Sequence, residues 1–296
     1  MNDSRHTAKL LSWNARSIGL PANDRIHVQG KIGVVHSIFR RVINITALEN
    51  RLITVVGQEV GQGPLNILVD IPGSLDLLTI GINKGDTVSQ VDDTIVIGEN
   101  VLVISTQSAE LWRPNRNFQT NLQSIRHIIT NIEYLSDFAL NFGHLNGLGE
   151  LIPFTHIHGL KDSETKKLGL VSQIALPHIS SLLKAIKSSH TQEIKRNIES
   201  LVGLGPGLTP AGDDMLLGLM VSMLYLSENF KEKSIDVKKI NEDIISVISG
   251  KTTTISEEFL REASVGNANE AVASLMECLL TSKSGELENS IRKVLN

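Results

Sequence analysis

The chain has 296 residues, 41% hydrophobic and 20% charged, the balance of a globular protein with one large domain or two of moderate size. A formal net charge of -4 supplies no broad basic field to attract nucleic acid or anionic lipid, so neither is expected as a partner. The only cysteine, Cys278, excludes an internal disulfide and a cysteine-based zinc site within one chain; in "AVASLMECLL" it reads as a buried small hydrophobe.

The chain opens on "MNDSRHTAKLLSWNARSIGL", which mixes charges throughout and lacks the apolar core of a signal peptide, so a cytoplasmic protein is expected. From about residue 26 to 113 come short β-rich runs: "GVVHSIF", "VINITAL", "RLITVVG", "LNILVDI", "TVSQV", "TIVIG" and "VLVIST". Asn, Gly, Pro and Asp punctuate them. The spacing leaves no room for crossover helices, which predicts an antiparallel β sandwich or barrel and disfavours a dinucleotide-binding sheet. Residues 1–116 are therefore expected to form a β-rich domain with a short N-terminal helix, and 117–296 a mainly helical one, an α+β chain overall.

After "LWRPN" the period changes to that of helices. In 118–142 the set Leu122, Ile125, Ile129, Ile132, Leu135 and Phe138 predicts one amphipathic helix with that stripe inward. Further helices are expected at 164–187, interrupted near Pro177, then 190–202, 210–227, 236–249, 253–264, 267–281 and 284–295. The charged stretch "ENFKEKSIDVKK" reads as a solvated connection. The uncharged run "MLLGLMVSMLYL" would span only about 18 Å as a helix, short of a bilayer core, so it is expected to be a buried helix.

The chemistry is expected in "LVGLGPGLTPAGDD", residues 201–214. Gly203 is placed to end one helix in the left-handed conformation, and Thr209 followed by Pro210 reads as an N-cap with proline at the first helical position of the next. A helix start leaves backbone N–H groups free and carries positive partial charge, while neighbouring glycines let a ligand approach the main chain. This is an anion cradle without the lysine of a P-loop. Asp213 and Asp214 would repel a bare phosphate, so they are expected either to accept hydrogen bonds from an amide or carbamoyl NH2 group or to anchor Mg2+. Both uses stay open. No other metal and no cofactor is implied. The structural alternative is that acidic residues simply complement the helix dipole and the glycines only turn a corner.

"GLGPGLTPAGDDMLLGLM" resembles the signature of a bacterial family long filed as a domain of unknown function, centred on G-x-G-x-G-L-T-P-[SA]-G-D-D, which includes the AllH-type subunit of oxamate carbamoyltransferase. Weaker likeness extends to "VGQGPLNILVD", "ELWRP" and "TTTISEEFLREASVGNANEAV". The resemblance implies a cytoplasmic subunit acting with two larger partner subunits. That assembly interconverts oxalurate plus phosphate with oxamate plus carbamoyl phosphate in anaerobic allantoin breakdown. It carries over Gly205, Gly207, Leu208, Thr209, Pro210, Gly212, Asp213 and Asp214 as the motif; on the reading of the loop given above, Asp213 and Asp214 are the catalytic candidates and Gly205, Gly207, Leu208, Thr209 and Gly212 are expected to bind a small anionic amide or carbamoyl substrate. Ala211 stands where many relatives have serine, which removes one hydroxyl donor. Thr252, Thr253 and Ser256 are second-rank ligand-binding candidates, Thr253 or Ser256 reading equally as a helix N-cap. The rival reading is a non-catalytic assembly or regulatory subunit whose glycine loop is a partner-docking surface.

Other candidates carry less. His156 and His158 in "THIHGL" lack the acidic or cysteine neighbours of a metal site. His144, after the long helix, sits in a glycine-bearing turn expected to join two helices. Arg113 and Arg116 flank the domain junction and are expected to be solvated arginines.

Overall fold

The structure, a computed structural model, describes residues 10–118, 124–154, 167–230, 235–281 and 284–295. The pair His156 and His158 lies outside them. The chain divides into two compact units, Met1–Pro114 and Asn115–Asn296.

The first unit is a closed barrel. Its strands are β1 (Leu11–Gly19), β2 (Gly30–Ile38), β3 (Val42–Ala47), β4 (Leu52–Val56), β5 (Asn66–Val69), β6 (Thr87–Val91), β7 (Thr94–Ile97), β8 (Leu102–Ser105) and β9 (Glu110–Trp112). They run in the order β5-β4-β3-β2-β6-β7-β8-β1, and β1 also pairs with β5, which closes eight strands; β9 continues along β1 beyond β8. Among the described residues the ladder is antiparallel except where β1 meets β8 and β9 and where β4 meets β5. The seven β-rich runs read from sequence are β2 to β8.

β1 and β9 are the strands that periodicity did not anticipate. "LSWNARSIG" carries charge and few β-branched residues, yet one edge of β1 pairs with β8 and then β9 while the other closes on β5 with a bulge between Ala15 and Ser17. The inward side chains, Ile18, Val35, Ile43, Ile45, Ile53, Val55, Ile67, Ile95, Ile97 and Ile104 among them, are almost wholly buried. The expected short helix is α1 (Leu20–Ile26), which follows β1 rather than preceding the strands and buries Ala22 and Ile26.

The second unit is helical: α2 (Ser124–Phe142), a 3-10 segment at Gly147–Phe154, α3 (Leu170–Lys187), α4 (Thr191–Leu201), α5 (Ala211–Phe230), α6 (Val237–Ile248), α7 (Thr254–Ser264), α8 (Glu270–Leu280) and α9 (Ser284–Leu295). Their shared core includes Ile198, Leu201, Leu216, Met220, Val221, Tyr225, Ile244, Leu260 and Ile291. Pro177 lies inside α3 and does not break it into two. No helix among the described residues is long and apolar enough to cross a membrane.

The expected stripe on α2 is rotated. Ile125, Ile129 and Ile132 are 45%, 52% and 41% exposed, while Ile128, Asn131 and Ala139 are buried; toward the end of the helix Phe138 is buried and Leu135 packs on the core as expected. Asn131 is the cause: its Nδ2 donates to the carbonyls of Cys278 at 3.1 Å and Leu279 at 3.3 Å, so a polar residue occupies the inward face that an apolar count skips. Two further expectations change. Arg116 is engaged, donating to the Val265 carbonyl and pairing with Glu228 at 3.7 Å. In the charged connection, Asn229 still belongs to α5, accepting from the Phe118 amide at 2.7 Å and donating to the Arg116 carbonyl at 2.8 Å.

Candidate functional site

The glycine loop is the corner between α4 and α5, and three close backbone approaches shape it. Gly203, at φ +71°, turns the chain out of α4, as the sequence predicts, and a Cβ there would strike the Lys251 carbonyl oxygen. Gly212, in the first turn of α5, is pressed onto the Leu201 carbonyl so closely that no side chain fits. Gly205, at φ +117°, lies against the Ala211 amide, its Cβ position 3.0 Å from that nitrogen. Only glycine satisfies these positions without displacement. Gly207 differs: it has φ +102° but open space around it.

One carboxylate ties this corner together. Asp213 is 1% exposed. Its Oδ1 accepts from the Gly203 amide at 2.8 Å; its Oδ2 accepts from Ser256 Oγ at 2.7 Å and from Thr252 Oγ1. A buried carboxylate with this many donors is well matched, since each bond to a charged acceptor is worth about 1.5–3 kcal/mol and an unmatched one would be costly. Thr253 caps α7, accepting from the Ser256 amide at 3.0 Å, and its hydroxyl donates to the Leu208 carbonyl. The structure thus brings Thr252, Thr253 and Ser256 onto the loop, where they bond to Asp213 and to loop backbone. On the far side of the turn, Lys251 pairs with Glu199 of α4 at 2.8 Å.

The amides divide into two groups. The helix-start amides are used by the protein itself: Gly212 donates to the Leu204 carbonyl at 2.9 Å, Asp213 and Asp214 to the Pro210 carbonyl at 2.9 and 3.1 Å. The helix accordingly begins at Ala211, one residue later than the Thr209–Pro210 pattern predicts. Among the described residues, the amides of Gly205, Gly207, Leu208 and Thr209 have no protein acceptor, and from Gly207 to Thr209 the loop is exposed. The open donors therefore sit in the loop and on Ala211, the first residue of the helix, whose amide likewise has no acceptor among the described residues; commitment begins at Gly212.

Asp214 faces the other way from Asp213. It reaches solvent, yet the protein crowding its carboxyl, helped by the negative charge of Asp213, holds its pKa up to about 6. A carboxyl in that range exchanges protons near neutral pH. The pair does not fit a two-carboxylate Mg2+ anchor, because Asp213 is buried with its oxygens committed to N–H and O–H donors, leaving Asp214 alone beside the loop. Among the described residues no cluster of three or more metal-binding side chains exists.

The glycine-bearing turn after α2 packs on this corner: the Cβ position of Gly147 lies 3.3 Å from the Cβ of Ala211, and the Gly147 carbonyl accepts from Ser172 Oγ at 2.6 Å. His144 is exposed. Two roles were not foreseen from sequence: the Gly203 amide as a donor to Asp213, and the Lys251 carbonyl as the surface against which Gly203 packs. Neither leaves a sequence signal, because each is a backbone atom meeting a residue brought near by the fold.

Comparison with known families bears on the same region. Residues 201–296 match the family described as oxamate carbamoyltransferase subunit AllH, and residues 9–111 match the AllH family N-terminal domain. No solved structure matches the chain. With the barrel and the glycine-loop half both matched, the chain belongs to the AllH family, whose description is that of a subunit of oxamate carbamoyltransferase.

Proposed function

We propose that this chain works in an assembly that interconverts oxalurate plus phosphate with oxamate plus carbamoyl phosphate, and that the glycine loop is its substrate-binding element. The observation that carries the reading is the run of amides at Gly205, Gly207, Leu208 and Thr209 without an acceptor among the described residues, exposed from Gly207 on, a few positions before Asp214, whose pKa is held up to about 6. Fixed amide donors suit the carboxylate or phosphate end of such ligands and stabilise negative charge developing at a carbonyl. In the forward reaction a phosphate oxygen adds to the carbamoyl carbon of oxalurate, the bond from that carbon to the oxamate nitrogen breaks, and the phosphate proton ends on that nitrogen. Asp214 is the group we assign to orient the NH2 end and to carry that proton. Asp213 acts through the loop, as the positioning residue that fixes Gly203 against Thr252 and Ser256. The two larger partner subunits complete the site.

To test this, the assembly is co-purified with its native partners and oxalurate phosphorolysis is measured with Asp214→Asn. The expected loss is about 100-fold in kcat with KM little changed, the usual scale for a lost proton-transfer group. An unchanged rate overturns the role. Leu208, 40% exposed at the loop tip, supports a second reading in which the loop docks a partner. Under that reading Leu208→Ser abolishes co-purification while Asp214→Asn leaves the rate intact.

A further inference from the structure

The barrel unit holds a polar cavity lined entirely by its own residues. It measures about 370 Å3 and lies where α1, the β6–β7 turn and the loop between β8 and β9 meet. That size is within the range of small-molecule pockets. Its lining is rich in acceptors. Gln90 points inward from β6 and is 5% exposed; its Nε2 donates to the Asp92 carbonyl at 2.7 Å, but its Oε1 is buried with no hydrogen-bond partner. A buried amide oxygen left without a donor is a standing penalty that a bound N–H group removes.

The rim supplies charge of one sign. Asp92 and Asp93 form the two-residue turn between β6 and β7, and both line the cavity. Asp92 takes φ +49°, and its backbone is held by Gln29, whose Oε1 accepts from the Asp92 amide at 3.0 Å, as well as by Gln90. Among the described residues neither carboxylate has a cationic partner. The turn is thus fixed in place with two negative charges above an orphaned acceptor. Anions are repelled from such a rim, and a cation bearing N–H donors meets both features at once.

We propose that this cavity is a binding site for a small organic cation with N–H donors, an alkylammonium or alkylguanidinium, whose donor group bonds Gln90 Oε1 while Asp92 and Asp93 neutralise its charge. The test uses the full chain at low salt, titrated calorimetrically with agmatine, which carries both groups, and with succinate as an anion of similar length. Saturable agmatine binding is expected, with no succinate binding. Kd should rise about tenfold or more in D92N/D93N, where asparagine tolerates the left-handed conformation at position 92, and similarly in Gln90→Met. Asp214→Asn should leave agmatine binding unchanged, which separates this site from the glycine loop. Absence of saturable agmatine binding overturns the proposal, as does equal affinity in D92N/D93N or a preference for succinate.

Discussion

The barrel and the glycine-loop corner both bring backbone against backbone, but they hold it by different means. In the barrel, strand ladders repeat the same bond many times over an interior of isoleucine and valine, and close backbone approaches such as those at Gly19 and Gly33 are local to single strand ends and bulges. In the corner, two helix ends and a turn meet at Gly203, Gly205 and Gly212, and one carboxylate, Asp213, joins them. The first arrangement spreads its cost; the second concentrates it. What this teaches is where change should cost most: less in the apolar interior of the barrel than at the corner, where a loop presenting bare amides has to be held in place.

Substitutions sharpen the contrast. The largest effect is expected for Gly212→Ala, whose Cβ would collide with the Leu201 carbonyl. A loss of about 3 kcal/mol or more is expected from denaturant unfolding, because backbone must move to admit the methyl group. Asp213→Ala comes next, at about 2–3 kcal/mol, since it strands the Gly203 amide and two hydroxyls. Thr252→Val and Ser256→Ala should each cost less than that. By contrast Ile45→Val, at a wholly buried barrel position, is expected to cost only about 1 kcal/mol. If the barrel substitution proves as damaging as Asp213→Ala, the contrast fails.

A subtler expectation concerns pH. Asp214 binds its proton with a pKa of about 6 in the native chain, above the ordinary carboxylate value of 3.8. Between those values the native state holds a proton that the unfolded chain has released, so this group's contribution favours folding at low pH and is lost as pH rises through about 6. Solvent contact keeps the effect modest. Thermal unfolding of the parent chain and Asp214→Asn should therefore diverge between about pH 4 and 6.5, the parent losing ground as pH rises. A difference that stays flat across that window refutes the perturbed carboxyl. An effect as small as that of Ile45→Val is expected for Gly207→Ala, about 1 kcal/mol from its positive φ alone, because no described atom beyond its chain neighbours lies within 4 Å of the added methyl. In the assembly, however, that methyl stands where a ligand would approach, so KM should rise well beyond what the stability change explains.

Much of the fold is legible in the sequence because it rests on repetition. Strands β2 to β8 announce themselves through β-branched alternation and turn residues, and α3 to α9 through helical period. What is not legible is what depends on a single contact. β1 carries Arg16 and Asn14 and lacks a strand's usual composition, yet pairing on both edges makes it the closing strand. The inward face of α2 is set by Asn131, a polar residue satisfied by carbonyls some 147 positions away, which no local pattern contains. At the site, the glycines and Asp213 and Asp214 are visible as a motif, and Thr253 as an N-cap. The separation of the two acids into one buried and one open carboxyl is not, since it follows from which side of α5 meets Ser256.

The central claim is that an anionic ligand end lies on the amides of Gly205 to Thr209 while Asp213 stays committed to the protein. The most direct measurement is a structure of the co-purified assembly with oxamate and carbamoyl phosphate bound. The account expects a ligand oxygen within hydrogen-bond distance of at least two of those amides and an NH2 group beside Asp214. A ligand seated on partner subunits away from this loop, or one that displaces Ser256 and Thr252 to reach Asp213, contradicts it.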